Sequence, residues 1–135
     1  MAITEDYVSF EVAKLLKDKG FNEKCNSYFI SNNEIALIAN KRDFNKHGIY
    51  LSAPTLQRAM KWLREVHDIY IDISIYVITK NILKYNIGVY YKKHKNDSMY
   101  LGIHLTKECS KYEKAVEVAI KYCLENLIQN NYEED

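Results

Sequence analysis

"SAPTLQRAMKWLREVHDIYIDI", residues Ser52 to Ile73, holds the only proline (Pro54), the only tryptophan (Trp62) and a change of hydrophobic period. Up to His67 the apolar residues recur with the helical period. On a wheel of about 100° per residue, Leu56, Ala59, Met60, Leu63, Val66 and His67 share one side, with Trp62 at its edge. Gln57, Lys61, Arg64 and Glu65 take the other side. Pro54 suits a first helical turn, where a missing N–H costs nothing, and Ser52 or Ala53 would precede it as cap. From Asp68 the period is 2. Ile69, Ile71, Ile73, Ile75 and Val77 alternate with Tyr70, Asp72, Ser74 and Tyr76, which predicts a half-buried strand. A helix here feeds straight into a strand.

Downstream the alternation continues. In "YNIGVYYKK", Ile87, Val89 and Tyr91 face one way, and Gly88 and Tyr90 the other. In "SMYLGIHL", Met99, Leu101, Ile103 and Leu105 alternate with Tyr100, Gly102 and His104, and "HKND" between the two runs has turn chemistry. The last helix opens at Ser110, with Glu113 in capping-box register. Its apolar stripe is Tyr112, Ala115, Val116, Ala119, Ile120, Cys123, Leu124 and Leu127, and the tail from about residue 129 reads as frayed.

Upstream, Ser9 caps a first helix, Val8 and Ala13 occupy staple positions, and Gly20 supplies a left-handed end that lets Phe21 close on Leu16. "NSYFISNNEIALIAN" reads as a hairpin turning at Asn32 and Asn33, "KRDFNKHG" as a polar loop and "IYLSA" as a short strand or an extended lead-in. The order is α-ββ-(β)-α-βββ-α. Consecutive strands with short turns imply an α+β fold: one domain over residues 1–135, an antiparallel sheet of about four to six strands, and three helices mainly on one face.

Composition narrows the functions. Lys+Arg 19 against Asp+Glu 18 gives +1, far from the basic excess that drives nucleic-acid binding, so a nucleic-acid partner is not expected. The acidic start "MAITEDYVSF" is no signal peptide, and no apolar run reaches the roughly 20 residues of a membrane helix. A cytoplasmic protein with no membrane partner is the expectation. Cys25, Cys109 and Cys123 form no CxxC pair, and Cys123 lies in the last helix's apolar stripe, where packing is its role. His47, His67, His94 and His104 share no metal-ligand spacing. His104 belongs to a single H-x-T, half of what a two-histidine phosphoesterase uses. There is no HExxH, no G-x-S-x-G and no glycine-rich phosphate loop. No enzyme, metal or cofactor is expected.

Two surfaces carry binding chemistry. Tyr70, Asp72, Tyr76, Tyr90, Tyr100 and His104 fall opposite the isoleucines, and tyrosine offers a ring for stacking with a hydroxyl for hydrogen bonding. Gln57, Lys61 and Arg64 form a row able to hold a phosphate or carboxylate. The bland alternatives are cross-strand tyrosine packing and a solvated helix face held by a Lys61–Glu65 pair. The clusters "KKHK" (Lys92 to Lys95) and "KRDFNKH" read as loops that serve solubility. The candidate ligand site is Gln57, Lys61, Arg64, Tyr70, Tyr76, Tyr90, Tyr100 and His104.

"YVSFEVAKLLKDKGF", "SAPTLQRAMKWLREVH" and "YEKAVEVAIKYCLENLI" together resemble a group of short uncharacterised proteins carried in phages and prophage-like regions of gut bacteria. That group brings no activity and no functional residues. The resemblance implies a small accessory protein of a mobile element, in the host cytoplasm, acting by stoichiometric binding and possessing a counter-defence role. Proteins of that setting take either a small anionic nucleotide or a host protein as partner; separately, two copies meeting across the tyrosine sheet would enclose a ligand, so a dimer or larger is also expected. The alternative is a homo-oligomeric structural or regulatory module that assembles through the tyrosine face. A further alternative is an RNA or single-strand binder.

Overall fold

The computed structural model describes residues 3–31 and 34–128. The first helix, α1 (Phe10–Asp18), forms as its local chemistry predicts. Ser9 Oγ accepts from the Val12 N–H at 3.2 Å, and Val8 and Ala13 are both buried. At the other end Gly20 has φ +89°, the Phe21 N–H reaches the Leu16 carbonyl at 2.9 Å, and the Gly20 N–H reaches Lys17 at 3.1 Å. This pair of bonds is the Schellman closure.

The chain then builds a small sheet from β1 (Cys25–Phe29), β2 (Ile35–Arg42) and β3 (Leu51–Ser52), in the order β2-β1-β3. The expected hairpin is present; its turn residues Asn32 and Asn33 lie outside the described residues. The β1–β2 register shifts between Cys25 and Ser27, where Asn26 Nδ2 donates to the Ile38 and Ala39 carbonyls, each at 3.1 Å. "KRDFNKHG" is not a plain polar loop. Lys41 and Arg42 complete β2, and Phe44–Lys46 is a 3-10 turn whose buried Phe44 stacks on Tyr28 at 4.4 Å. An aromatic ring without a period gives no local signal; only its neighbours draw it inward.

Helix α2 (Leu56–His67) starts later than the proline suggested. Thr55 is the cap, its Oγ1 accepting from the Arg58 N–H at 3.2 Å. Pro54 stays outside the helix because its extended segment is used in pairing. The Ala53 N–H binds the Ser27 carbonyl, and the Pro54 carbonyl takes the Val8 N–H, both at 3.0 Å. Leu56, Ala59, Met60 and Leu63 are buried as expected, but Val66 is 58% exposed and Trp62 is inside. The indole stands edge-on to Phe21 at 5.3 Å, which rotates the buried stripe towards it. Val66, one turn on, is left at the rim of two concavities.

The switch from helix to strand occurs at Asp68, the one described non-glycine residue with positive φ (56°). Asp68 and Ile69 donate their N–H groups to the Arg64 and Leu63 carbonyls at 3.1 and 3.0 Å, closing α2. The second sheet follows: β4 (Tyr70–Thr79), β5 (Ile82–Tyr91) and β6 (Leu101–Cys109), antiparallel in the order β4-β5-β6. The α+β class is therefore as the sequence implied, with six strands shared between two three-stranded sheets. Helix α3 (Tyr112–Asn126) lies on the aliphatic face of this sheet, with Ala115, Val116, Ala119, Ile120, Cys123 and Leu124 buried beneath it. The α1 and α2 helices pack against α3 and link the two sheets into one core.

The Ser110–Glu113 capping box does not form. Lys111 is the N-cap, without a side-chain bond, because β6 runs to Cys109 and Lys111 stays extended (φ −127°, ψ 139°). Nor is β4 half-buried along its length. Ile71 and Ile73 pack against the core, whereas Ile75 and Val77 are 59% and 65% exposed. The β4–β5 hairpin overhangs the helices: Tyr85, beside Tyr112 in the first turn of α3 at 5.9 Å, marks where cover ends. Met99 and Leu101 are likewise exposed, while Ile103 and Leu105 are half-buried. All three cysteines are buried free thiols, and burial pushes Cys25 up to about 11 and Cys123 up to about 12, so neither forms a reactive thiolate.

Candidate functional site

The open face of the second sheet is ordered by strand register. Tyr70 on β4 pairs with Tyr90 on β5, and Tyr90 pairs with Gly102 on β6; one row along, Asp72, Gly88 and His104 stand abreast. The two glycines make room for a ring. A Cβ built on Gly102 would sit 3.1 Å from Tyr90 Cε1, and one on Gly88 would sit 3.5 Å from Cε2. The Tyr90 ring therefore lies over the glycine backbone, with its other face turned to solvent.

Tyr100, just before β6, stands edge-on to Tyr70 with centroids 5.7 Å apart and planes at 84°. Its hydroxyl donates to Asp68 Oδ1 at 2.7 Å. Lys92 Nζ lies 3.6 Å from Asp68 Oδ2 and 4.9 Å from the centre of the Tyr100 ring. The Tyr100 hydroxyl bond holds the Asp68 carboxyl below its usual range, and the same bond pushes the Tyr100 phenol well above its usual range. Asp68 is thus an anion and Tyr100 a fixed donor. Tyr70, Tyr90 and Tyr100, each 41–45% exposed, wall a shallow depression of about 430 Å³.

The structure thus brings together three of the tyrosines read from the sequence. His104 is exposed one row away, across from Gly88. Tyr76 lies six residues along β4 from Tyr70, roughly 20 Å at strand rise, and opposes Lys84 instead. Gln57, Lys61 and Arg64 are exposed on α2 as expected, but none of them lines the tyrosine depression. Lys61 lines a separate groove with Arg58, Glu23 and Glu65, whose carboxylates offset the cations; Gln57 and Arg64 line none of the described depressions. Asp68, Lys92, Gly88 and Gly102 were not among the candidate site residues. Asp at a helix-to-strand switch is the one available signal, because Asp is among the few residues that tolerate the left-handed conformation.

His67 closes α2 beside this site. It is half-buried against Trp62 at 4.6 Å, and its Nε2 is buried without a hydrogen-bond partner. Burial alone holds its pKa below 6.5, so the ring is neutral at pH 7. The unfolded chain protonates first as pH falls through 6.5, so it binds more protons than the native state in that window, and stability falls there. Urea melts between pH 7.5 and 5.5 should show this loss, and His67→Leu should reduce it. An unchanged pH slope in the variant would show that other groups carry the dependence.

Among the described residues no cluster of three His, Cys, Asp or Glu is arranged to hold a metal ion, and no helix is long and apolar enough to cross a membrane. Comparison of the chain with protein-family models, with curated proteins and with solved structures finds no match.

Proposed function

We propose that the protein is a non-enzymatic binding protein of phage or mobile-element type, and that its tyrosine depression takes the planar ring of a small anionic, nucleotide-like ligand. The observation that supports this best is three half-exposed rings around one depression of about 430 Å³, with a lysine fixed at the rim through Asp68. The rings are shaped by their neighbours, since Gly88 and Gly102 give Tyr90 its floor and Asp68 anchors Tyr100. Plain surface tyrosines need no such support. In the setting suggested by the resemblance, the action is stoichiometric sequestration, with counter-defence as its use. The test is calorimetry of the purified protein against nucleosides and linear and cyclic nucleotides. Saturable binding at unit stoichiometry or below supports the reading, and silence across the panel sinks it.

The overhanging hairpin favours a second reading, assembly with another copy. β4 is a ten-residue edge strand with Ile75 and Val77 exposed, and such an edge is a template for pairing. Two copies joined along β4 about a two-fold axis would carry both tyrosine clusters on one face of a continuous sheet. Native mass spectrometry should then report a dimer or larger that the double change Ile75→Asp, Val77→Asp returns to monomer. A wild-type chain that is already monomeric at micromolar concentration removes this reading.

A further inference from the structure

A second and larger concavity, about 700 Å³, lies beside the ends of α2 and α3, and two of its lining residues, Asp68 and Lys92, both contact Tyr100 of the tyrosine depression. Three chain segments that are far apart in sequence wall it: the end of α2, the residues after β5, and the end of α3. The segment after β5 contributes Lys92, Lys93 and Lys95. Lys92 is engaged by Asp68 and Tyr100, whereas Lys93 and Lys95 form no ion pair among the described residues. The stretch read as a solubility loop is therefore a cationic wall next to an aromatic floor.

The sign of the groove follows from its groups. Among the described residues that line it, three ammonium ions face one carboxylate, Asp68, and His67 adds no charge at pH 7. The C-terminal ends of α2 and α3 oppose the lysines with roughly half a negative charge each. Part of that is already neutralised, because Asp68, Ile69 and Leu127 donate N–H groups to the last carbonyls. Counted over its described lining residues, the groove is positive by about one charge or more. A helix end alone would invite one lysine; two further lysines in the same concavity exceed that need.

We infer that the groove binds the phosphate groups of a nucleotide whose ring rests on Tyr70, Tyr90 and Tyr100, and that the ligand class is a nucleoside diphosphate or longer. Lys92, in contact with Tyr100, is placed for the phosphate nearest the ring. Lys93 and Lys95 then take those beyond, which a monophosphate does not supply. This inference rests on the proposed ring-binding role of the tyrosines.

The experiment is calorimetry with a series for each of adenine, guanine and uracil: nucleoside, mono-, di- and triphosphate, with inorganic pyrophosphate alongside. Affinity should rise about tenfold or more from nucleoside to diphosphate, as two exposed ion pairs allow. The double variant Lys93→Gln, Lys95→Gln should lose that rise and keep nucleoside binding, with an unchanged thermal melt. Raising the salt should weaken the diphosphate and spare the nucleoside. If nucleoside and diphosphate bind equally, the ring reading stands and the groove inference is overturned. Binding of pyrophosphate but of no nucleoside or nucleotide overturns the spanning ligand, and no binding at all overturns both.

Discussion

Leu63→Ala is expected to destabilise the fold by about 2–5 kcal/mol, the usual range for a fully buried leucine cut back to its Cβ. Leu63 is 0% exposed and stands in the middle of α2, between the buried Ala59 and Met60 and the indole of Trp62. Its carbonyl also accepts the Ile69 N–H that turns the chain from α2 into β4. A collapse of this site would therefore be felt where the tyrosine surface begins. Against a total of about 5–15 kcal/mol for a domain this size, such a loss is large. Gln57→Ala, on the exposed side of the same helix, should stay within about 0.5 kcal/mol. Urea melts of the two variants decide the matter. Equal losses would show that the helix is packed in another phase.

Tyr90→Ala is the change expected to act most on binding. Removing one stacking ring costs about 1–3 kcal/mol per base, or roughly 5- to 150-fold in affinity. Tyr90 is the cleaner probe among the three rings. Its ring contacts the backbone of Gly88 and Gly102 and carries none of the bonds that order the site, so its loss leaves Asp68, Lys92 and Tyr100 in place. Tyr100→Ala would remove a ring and also the hydroxyl bond to Asp68 and the ring under Lys92. Tyr100→Phe separates these effects, since it keeps the ring and loses only the 2.7 Å bond to Asp68. Calorimetry with the nucleotide that binds best, beside a thermal melt, reads both. A Tyr90→Ala protein that melts as the wild type and binds as well would show that the depression is plain surface.

The readings that proved accurate share a physical range. The cap at Ser9, the Schellman closure at Gly20 and the burial of Ile87, Val89 and Ile120 depend on residues within a few positions or on one repeating period. Where one local signal competed with a distant partner, the partner won. Pro54 looked like a helix start, but its segment is held extended by Ser27 and Val8, so Thr55 became the cap. Ser110 and Glu113 had capping-box spacing, yet the length of β6 moved the helix start by one residue.

By itself the sequence determined the element order, the switch at Asp68 and the face on which Tyr70, Tyr90 and Tyr100 would stand, because a side chain's face follows from backbone period alone. Only the tertiary structure decided which of those residues meet. Strand register sets Tyr70 beside Tyr90 and Tyr90 beside Gly102, which left Tyr76 about 20 Å away. Asp68 and Tyr100 are bonded across 32 positions of chain, and Lys92 joins them from the end of β5. The helices also stop short of Ile75 and Val77, which leaves apolar residues bare where period 2 implied a core. Period tells a residue which way to point; what covers it depends on pairings and helix ends fixed by contacts far along the chain.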